Sequence, residues 1–476
     1  MTPISVALLL GLLVIAALGQ QPTRKGVLDP VPTPTELGLA GYAKVLCSAV
    51  FVSGRDPDEA FKNSGFFMMA EGERDGITFV VDRDRKRVAM TRGSIMRTAA
   101  FYGDQGCVIH PQGDDRISFK PVAVTTRLPD AQKQAWPMGD KPSNDPWPAG
   151  VDRARVQRAV EIVFSTDDAL TAAFLVVYRG RIIAERYMPG ITKDTQLESW
   201  SMGKSLTATL FAQLVKEGIY RLDDPVPVPL WQKPGDPRAR IRIVDLLRMS
   251  SGLRFIAGQD PDYTPDKGYP DHMLIYTGAI DAFQHSMTRP LQFEPNTEGR
   301  YRNSDPLIIG WLIKQAVTRR GGEYLTYPQR ALFDRIGIRR QVLETDPYGN
   351  FLLTGYDYGT ARNWARIGLL YLNDGVWNAE HVHERLLPEG WATFVSTPAP
   401  AWKTPTYGAL FWVNGDGGWP LPKSAYWAAG AGGQRTIIIP THDLVVVRLG
   451  HSRGDAIGMK LLKSALTELV AAVPSH

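Results

Sequence analysis

Residues 201–218 read SMGKSLTATLFAQLVKEG. Leu206, Leu210 and Leu214 recur one turn apart and Gly218 closes the run, the pattern of an amphipathic helix with a glycine stop. The helix opens on Ser201-Met202-Gly203-Lys204. Positions i and i+3 share a helix face, so the Lys204 side chain can sit beside the Ser201 hydroxyl. A seryl oxygen at a helix N-terminus also meets the positive end of the helix dipole. Together these activate a serine without a histidine. The bland alternative is a serine near the N-cap and a lysine in solvent.

Outward from this helix the patterning turns to strands. FLVVYRGRIIAERYM, residues 174–188, is two apolar runs around Arg179-Gly180-Arg181, a hairpin. Near the other end YGALFWVN, QRTIIIP and DLVVVRLG read as strands, and GDAIGMKLLKSALTELVAAV as a closing helix. Strands at both ends of a largely helical segment predict an antiparallel sheet completed by both termini, with a helical insertion. No internal repeat is present.

The serine helix has ordered company. RIVDLLRMSSGLRF follows it, and then GRYRNSDPLIIGWLIKQAV, in which Tyr301-Arg302-Asn303 runs into a helix with Ser304 or Asp305 as N-cap and Pro306 in the first turn. GYDYGTARNWARIGLLYLNDGVW carries a further helix, and Ala428-Ala429-Gly430-Ala431-Gly432-Gly433-Gln434 stands directly before a strand. The Gly-x-Ser-x-Gly elbow of α/β-hydrolases is absent. From residue 151 to 476 the chain resembles the serine β-lactamase-related hydrolases: class C β-lactamases, D-alanyl-D-alanine peptidases and esterases of that fold. The Gly-x-x-Gly-Gln form of the last motif is most similar to the 6-aminohexanoate-oligomer hydrolases, an amide-hydrolysing branch. The resemblance implies an α+β, β-lactamase/transpeptidase-like fold: an antiparallel sheet flanked by helices, with a helical subdomain.

It also implies roles. Ser201 matches the acylated nucleophile and Lys204 its partner. Tyr301 matches the phenol that works with the lysine as general base and then protonates the leaving group, which calls for a phenol pKa lowered by the neighbouring ammonium. Asn303 matches the amide that orients Lys204 and the substrate carbonyl. Tyr-x-Asn recurs at Tyr348/Asn350 and Tyr371/Asn373, but Tyr301 has the expected distance from the serine, and Tyr371 falls inside a helical pattern. The backbone N–H groups of Ser201 and Ala431 match an oxyanion hole. Gly430 permits close approach of substrate, with a turn glycine as its plainer reading. Ala428 stands where the family carries the cation that holds a substrate carboxylate, which favours a neutral-ended ester or linear amide over a penicillin. Arg302 and Arg435, beside motif residues, are the cations able to compensate. Trp200 and Trp427 flank the motifs and are candidate walls of an apolar acyl pocket, or plain core. The rival readings are a D,D-peptidase or penicillin-binding protein acting on cell wall, and a catalytically idle binding protein of the same fold.

The remainder of the 476 residues bounds the class. The chain is 44% hydrophobic and 22% charged, which excludes a disordered or collagen-like polymer. Its 54 basic and 49 acidic residues nearly balance, without a Lys/Arg run, so no nucleic-acid partner is expected. Residues 6–19, VALLLGLLVIAALG, are uniformly apolar yet short of the ~20 residues a spanning helix needs. They fit a secretory signal, with Ala17 and Gly19 placed for cleavage before Gln20. A leader without Lys or Arg, followed by Arg24 and Lys25, keeps an uncleaved membrane anchor over residues 4–19 as the competitor. The expected division is therefore leader or anchor (1–19), an N-terminal extension with short strands and a Pro-rich linker (20–150), and the hydrolase domain (151–476). Export to the periplasm or medium would pair the two cysteines, Cys47 and Cys107, in a disulfide; in a reducing compartment they would be buried thiols. His381, His383 and Glu384 lie together without further ligands in the pattern, so neither a metal nor a cofactor is called for. The substrate's identity and the oligomeric state are not fixed by the sequence.

Overall fold

The computed structural model describes residues 32–65, 68–69, 71–111, 113–143, 146–379 and 382–476. The leader or anchor and His381 lie outside the described residues.

Thr171–Tyr178 (TAAFLVVY) is buried at every position, as a strand covered on both faces must be. It pairs with Arg181–Tyr187 through the expected Arg179-Gly180 turn, and on its other side with Leu444–Gly450. Gln434–Ile439, Tyr426–Gly430 and the two-residue strand Trp412–Val413 complete a six-stranded antiparallel sheet. Both ends of the region from 151 to 476 thus build one sheet. Arg153–Val163 and the closing helix Asp455–Ala472 cover one face, packing Val156, Val160, Leu462 and Leu466 against Phe174, Val176 and Val446. Met202–Lys216 and Ala361–Leu372 cover the other, with Leu206, Leu210 and Leu214 fully buried. The helical insertion lies between, and includes Asp271–Thr277, Ala282–Met287 and Ser304–Arg319.

The N-terminal extension is a helix laid on its own small sheet. Pro34–Phe51 starts at a capping box, Thr33 with Glu36, and carries Pro34 at its first turn. Ile77–Asp82, Arg87–Arg92, Ile95–Phe101 and Cys107–Ile109 form a four-stranded antiparallel sheet in chain order. The Cys47–Cys107 disulfide joins helix to sheet, with Cα atoms 6.0 Å apart. The Pro-rich stretch from 129 onward is fixed in place over residues 136–140. Asp140 takes an ion pair from Arg366 at 2.7 Å, and the Arg366 guanidinium stacks 4.7 Å over the Trp136 ring. Among the described residues no helix is long and apolar enough to cross a membrane, and no group of three metal-ligating side chains occurs.

Candidate active site

The serine helix begins at a strained corner. Trp200 has φ 48°, unusual for a bulky residue, and Ser201 then enters the helix as its N-cap. Its hydroxyl makes no capping bond. Instead Ser201 Oγ accepts from Lys204 Nζ at 2.8 Å and donates to the Thr354 carbonyl at 3.2 Å. This separates Ser201 from an ordinary capping serine, and Lys204, 1% exposed, from a lysine in solvent. Gly203 belongs to the same packing: a Cβ there would lie 2.2 Å from the Leu353 carbonyl oxygen.

Lys204 Nζ also donates to the Thr354 carbonyl at 2.7 Å, and Tyr276 Oη donates to the same oxygen at 2.6 Å. Burial drives the Lys204 pKa well below its ordinary value, opposed by the charge of Asp357. Asp357 is itself buried and pushed up to about 8, with Ser199 and the Lys204 charge acting the other way. Neither Thr354, which contributes only a backbone oxygen, nor Asp357 was visible in the motifs.

Tyr301 joins the group, its ring centroid 4.9 Å from Lys204 Nζ. The expectation of a lowered phenol pKa is corrected. Burial raises it, outweighing the Ser201 hydrogen bond and the Arg435 charge. The physical reason is desolvation: a buried phenolate loses more hydration than these two neighbours restore. Asn303 sits at the start of Ser304–Arg319, but its Nδ2 donates to the His272 carbonyl at 3.2 Å. The donor side of that amide thus meets the Asp271–Thr277 helix, its Oδ1 takes no hydrogen bond from the described residues, and Lys204 is held by Ser201 and Thr354. Of the other Tyr-x-Asn pairs, Tyr348 is half exposed, and Tyr371 is core, its hydroxyl 2.9 Å from Thr209.

Ser201 and Tyr301 open onto a cavity of about 570 Å³ that Gly430, Ala431, Trp200 and Trp427 also line. The strand end that carries Gly430 is pressed against the serine: a Cβ there would meet the Ser199 carbonyl oxygen at 2.1 Å. The turn beyond it is clamped from behind, where Arg448 donates to the Gly432 and Gly433 carbonyls and Gln434 accepts from Gly450 N at 2.9 Å. That gives the Gly-Gln ending of the motif a structural job. Trp412 and Trp419 widen the aromatic wall. His272 lines it as a neutral imidazole, its pKa lowered to about 3 by burial, then by Lys204 and Arg302.

Of the two compensating cations, Arg302 is consumed in a short ion pair with Asp260. Arg435 faces the cavity, and is the permanently charged side chain among its described lining residues. Its Nη1 donates to the Gly430 and Gln434 carbonyls at 3.0 and 2.7 Å, and burial lowers its pKa to about 10.

A family model described as Beta-lactamase matches residues 153–463. A 6-aminohexanoate-dimer hydrolase from Paenarthrobacter ureafaciens is 23% identical over 301 residues, covering 60% of this chain and 73% of the relative. A protein from Bacteroides dorei DSM 17855 assigned as a beta-lactamase superposes with a TM-score of 0.53 at 18% identity, covering 67% of this chain and 99% of that one. A penicillin-binding protein homologue from Caulobacter crescentus gives a TM-score of 0.50 at 17% identity, covering 67% and 98%. These superpositions establish the β-lactamase/transpeptidase-like fold expected from the motifs. With well over half its length matched, the chain belongs to the Beta-lactamase family and has the hydrolase fold of that family.

Proposed function

We propose that this chain is a serine hydrolase that cleaves an ester or linear amide through an acyl-enzyme on Ser201. One observation carries the reading: the Ser201 hydroxyl, unspent on capping, lies 2.8 Å from a buried lysine whose pKa burial lowers, and lines a cavity. Neutral Lys204 takes the Ser201 proton as Oγ bonds to the substrate carbonyl carbon. The resulting oxyanion is held by the N–H groups of Ser201 and Ala431. Tyr301, a protonated phenol at rest, gives its proton to the leaving oxygen or nitrogen as that bond breaks, and is re-protonated through Lys204. Water then attacks the acyl-enzyme with the same groups in reverse order, releasing the acid and free Ser201. Trp200 and Trp427 flank the acyl group, and Gly430 lets it approach the strand. No metal or cofactor takes part in these steps.

The linear-amide half of the proposal is supported by the 6-aminohexanoate-dimer hydrolase relative, and the ester or neutral-ended half by alanine at position 428. Arg435 in the cavity supports a second reading, a D,D-peptidase taking a carboxylate-ended peptide. The disulfide supports export, with the periplasm or medium as the working compartment. The test is fluorophosphonate labelling with mapping of the adduct, followed by turnover of p-nitrophenyl esters, linear ω-amino-acid amides, D-alanyl peptides and nitrocefin. An unlabelled serine would leave only the idle binding protein. Best turnover of D-alanyl peptide would select the peptidase.

A further inference from the structure

The N-terminal extension touches the hydrolase region where its proposed catalytic groups are held. The first place is Glu344, fully buried at the start of the segment that leads to Thr354. Lys44 of the Pro34–Phe51 helix makes a short ion pair with it, Ser48 Oγ donates to it at 2.8 Å, and Cys107 N–H donates to it at 2.7 Å. Two of these three donors lie at or next to the disulfide. From Glu344 the chain turns back on itself, with Leu352 N donating to the Glu344 carbonyl at 2.9 Å and Glu344 N to the Tyr356 carbonyl at 2.9 Å. Thr354 sits in this loop, and its carbonyl takes Lys204, Ser201 and Tyr276 together.

The second place is the strand that delivers Ser201. Arg55 lies 3.7 Å from Glu198, Ser64 Oγ donates to Glu198 at 3.3 Å, and Ser53 Oγ donates to the Gln196 carbonyl at 2.6 Å. The third is the Asp271–Thr277 helix, where Gly41 abuts Thr277 so closely that a Cβ would lie 2.7 Å from its methyl. Trp200, Tyr276 and Tyr356 share one apolar cluster with Leu39, Leu46 and Met90 of the extension.

We infer that the N-terminal extension is a working part of the catalytic site: through Glu344 it sets the Thr354 carbonyl that aligns Lys204 with Ser201. Lys44, Ser48 and Glu344 are then positioning residues, distant from substrate. The inference rests on the hydrolase reading above. A serine–lysine pair held at 2.8 Å loses reactivity steeply when its support relaxes, by ~100-fold for a shift near 1 Å.

The experiment uses the full oxidised chain and reads the second-order rate of fluorophosphonate attachment to Ser201, together with the final labelling stoichiometry. Lys44→Met with Glu344→Ala removes the anchor without stranding a buried charge, and should slow attachment about 10- to 100-fold at full final stoichiometry. Lys44→Met with Glu344→Gln keeps the acceptor for Ser48 and Cys107 N–H, and should recover the rate to within about three-fold. A purely structural role would lower the melting temperature or the labelled fraction while leaving the rate per site unchanged, and that result overturns the inference. If the alanine pair does not fold, Ser48→Ala removes one contact from a folded chain. A drop of about three-fold or more supports the inference, and a wild-type rate overturns it. Failure of the wild-type chain to label would instead refute the hydrolase reading, and this inference with it.

Discussion

Replacing Gly430 with alanine tests the proposed oxyanion edge directly. Gly430 has φ −130°, which any residue adopts, so the substitution is one of space and not of backbone strain. The new methyl would lie 2.1 Å from the Ser199 carbonyl oxygen and 3.0 Å from Trp200 Cβ. Backbone lies on both sides of this contact, so the strand end must withdraw from the serine by close to 1 Å. The Ala431 N–H, one residue on, moves with it. A misplacement of that size costs about 100-fold, and loss of an oxyanion donor ~10²–10³. The interaction forms only as the carbonyl becomes an oxyanion, so kcat should fall while KM stays nearly constant. Steady-state hydrolysis of the best p-nitrophenyl ester supplies both constants, and calorimetry separates a displaced edge from an unfolded one. A Gly430→Ala enzyme with kcat within about three-fold of wild type would refute the assignment of this edge.

Ser201→Ala should abolish turnover by several orders of magnitude with a nearly unchanged melting temperature; an adduct mapped to Ser199 or Ser205 would count against the assignment, and both of those hydroxyls are engaged elsewhere, by Trp364 and Leu410. The rate should rise with pH as Lys204 loses its proton, with a midpoint well below 10.5, and Asp357→Asn should move that midpoint lower by removing the charge that holds Lys204 up; a midpoint that moves higher contradicts the electrostatics. Because the folded Lys204 pKa lies below its unfolded value, the unfolded chain binds more protons between the two. Stability therefore gains with rising pH across that window, and Lys204→Met should flatten the gain in denaturant titrations at a series of pH values. Arg435→Met should lower kcat/KM for carboxylate-ended substrates by roughly 10- to 150-fold and leave neutral esters and amides unchanged if the D,D-peptidase reading holds, whereas an unchanged ranking favours the neutral-ended substrate. Thiol titration of the denatured, unreduced protein should find no free thiol, and reduction should cost roughly 4 kcal/mol in the chain-entropy model; two reactive thiols before reduction would contradict the pairing.

What the sequence disclosed was whatever has a side-chain signature. The apolar spacing of Leu206, Leu210 and Leu214 located the serine helix, the Arg179-Gly180 turn located the hairpin, and the run QRTIIIP marked a sheet strand. YGALFWVN was over-read as a strand: only Trp412 and Val413 pair in the sheet, because the chain before them folds back through a Tyr407–Trp412 bridge. The contribution of Thr354 was hidden because it is a carbonyl oxygen, which every residue type possesses. Spacing places Tyr301 beside Lys204 but gives the wrong direction for its pKa, since local spacing reports neighbours and not the depth of burial. Asp140 and Trp136 sit in a stretch whose Pro and Gly content reads as a linker, yet Arg362 and Arg366 hold it to a helix two hundred residues away. Partners that distant leave no mark on local composition.

Two glycines of the N-terminal extension set a limit on how this chain can change over time. A methyl at Gly106 would lie 2.4 Å from the Glu344 side chain, and one at Gly41 would lie 2.7 Å from Thr277. A larger residue at either position needs its counterpart in the hydrolase region to shrink or shift, and further relief besides: Met68 Sδ lies 2.6 Å from the Gly41 methyl, and Gly106 has φ 63°. The extension and the hydrolase region are therefore bound to vary as a pair, and an extension grafted from a diverged relative would bring its own shape to a seat cut for this one.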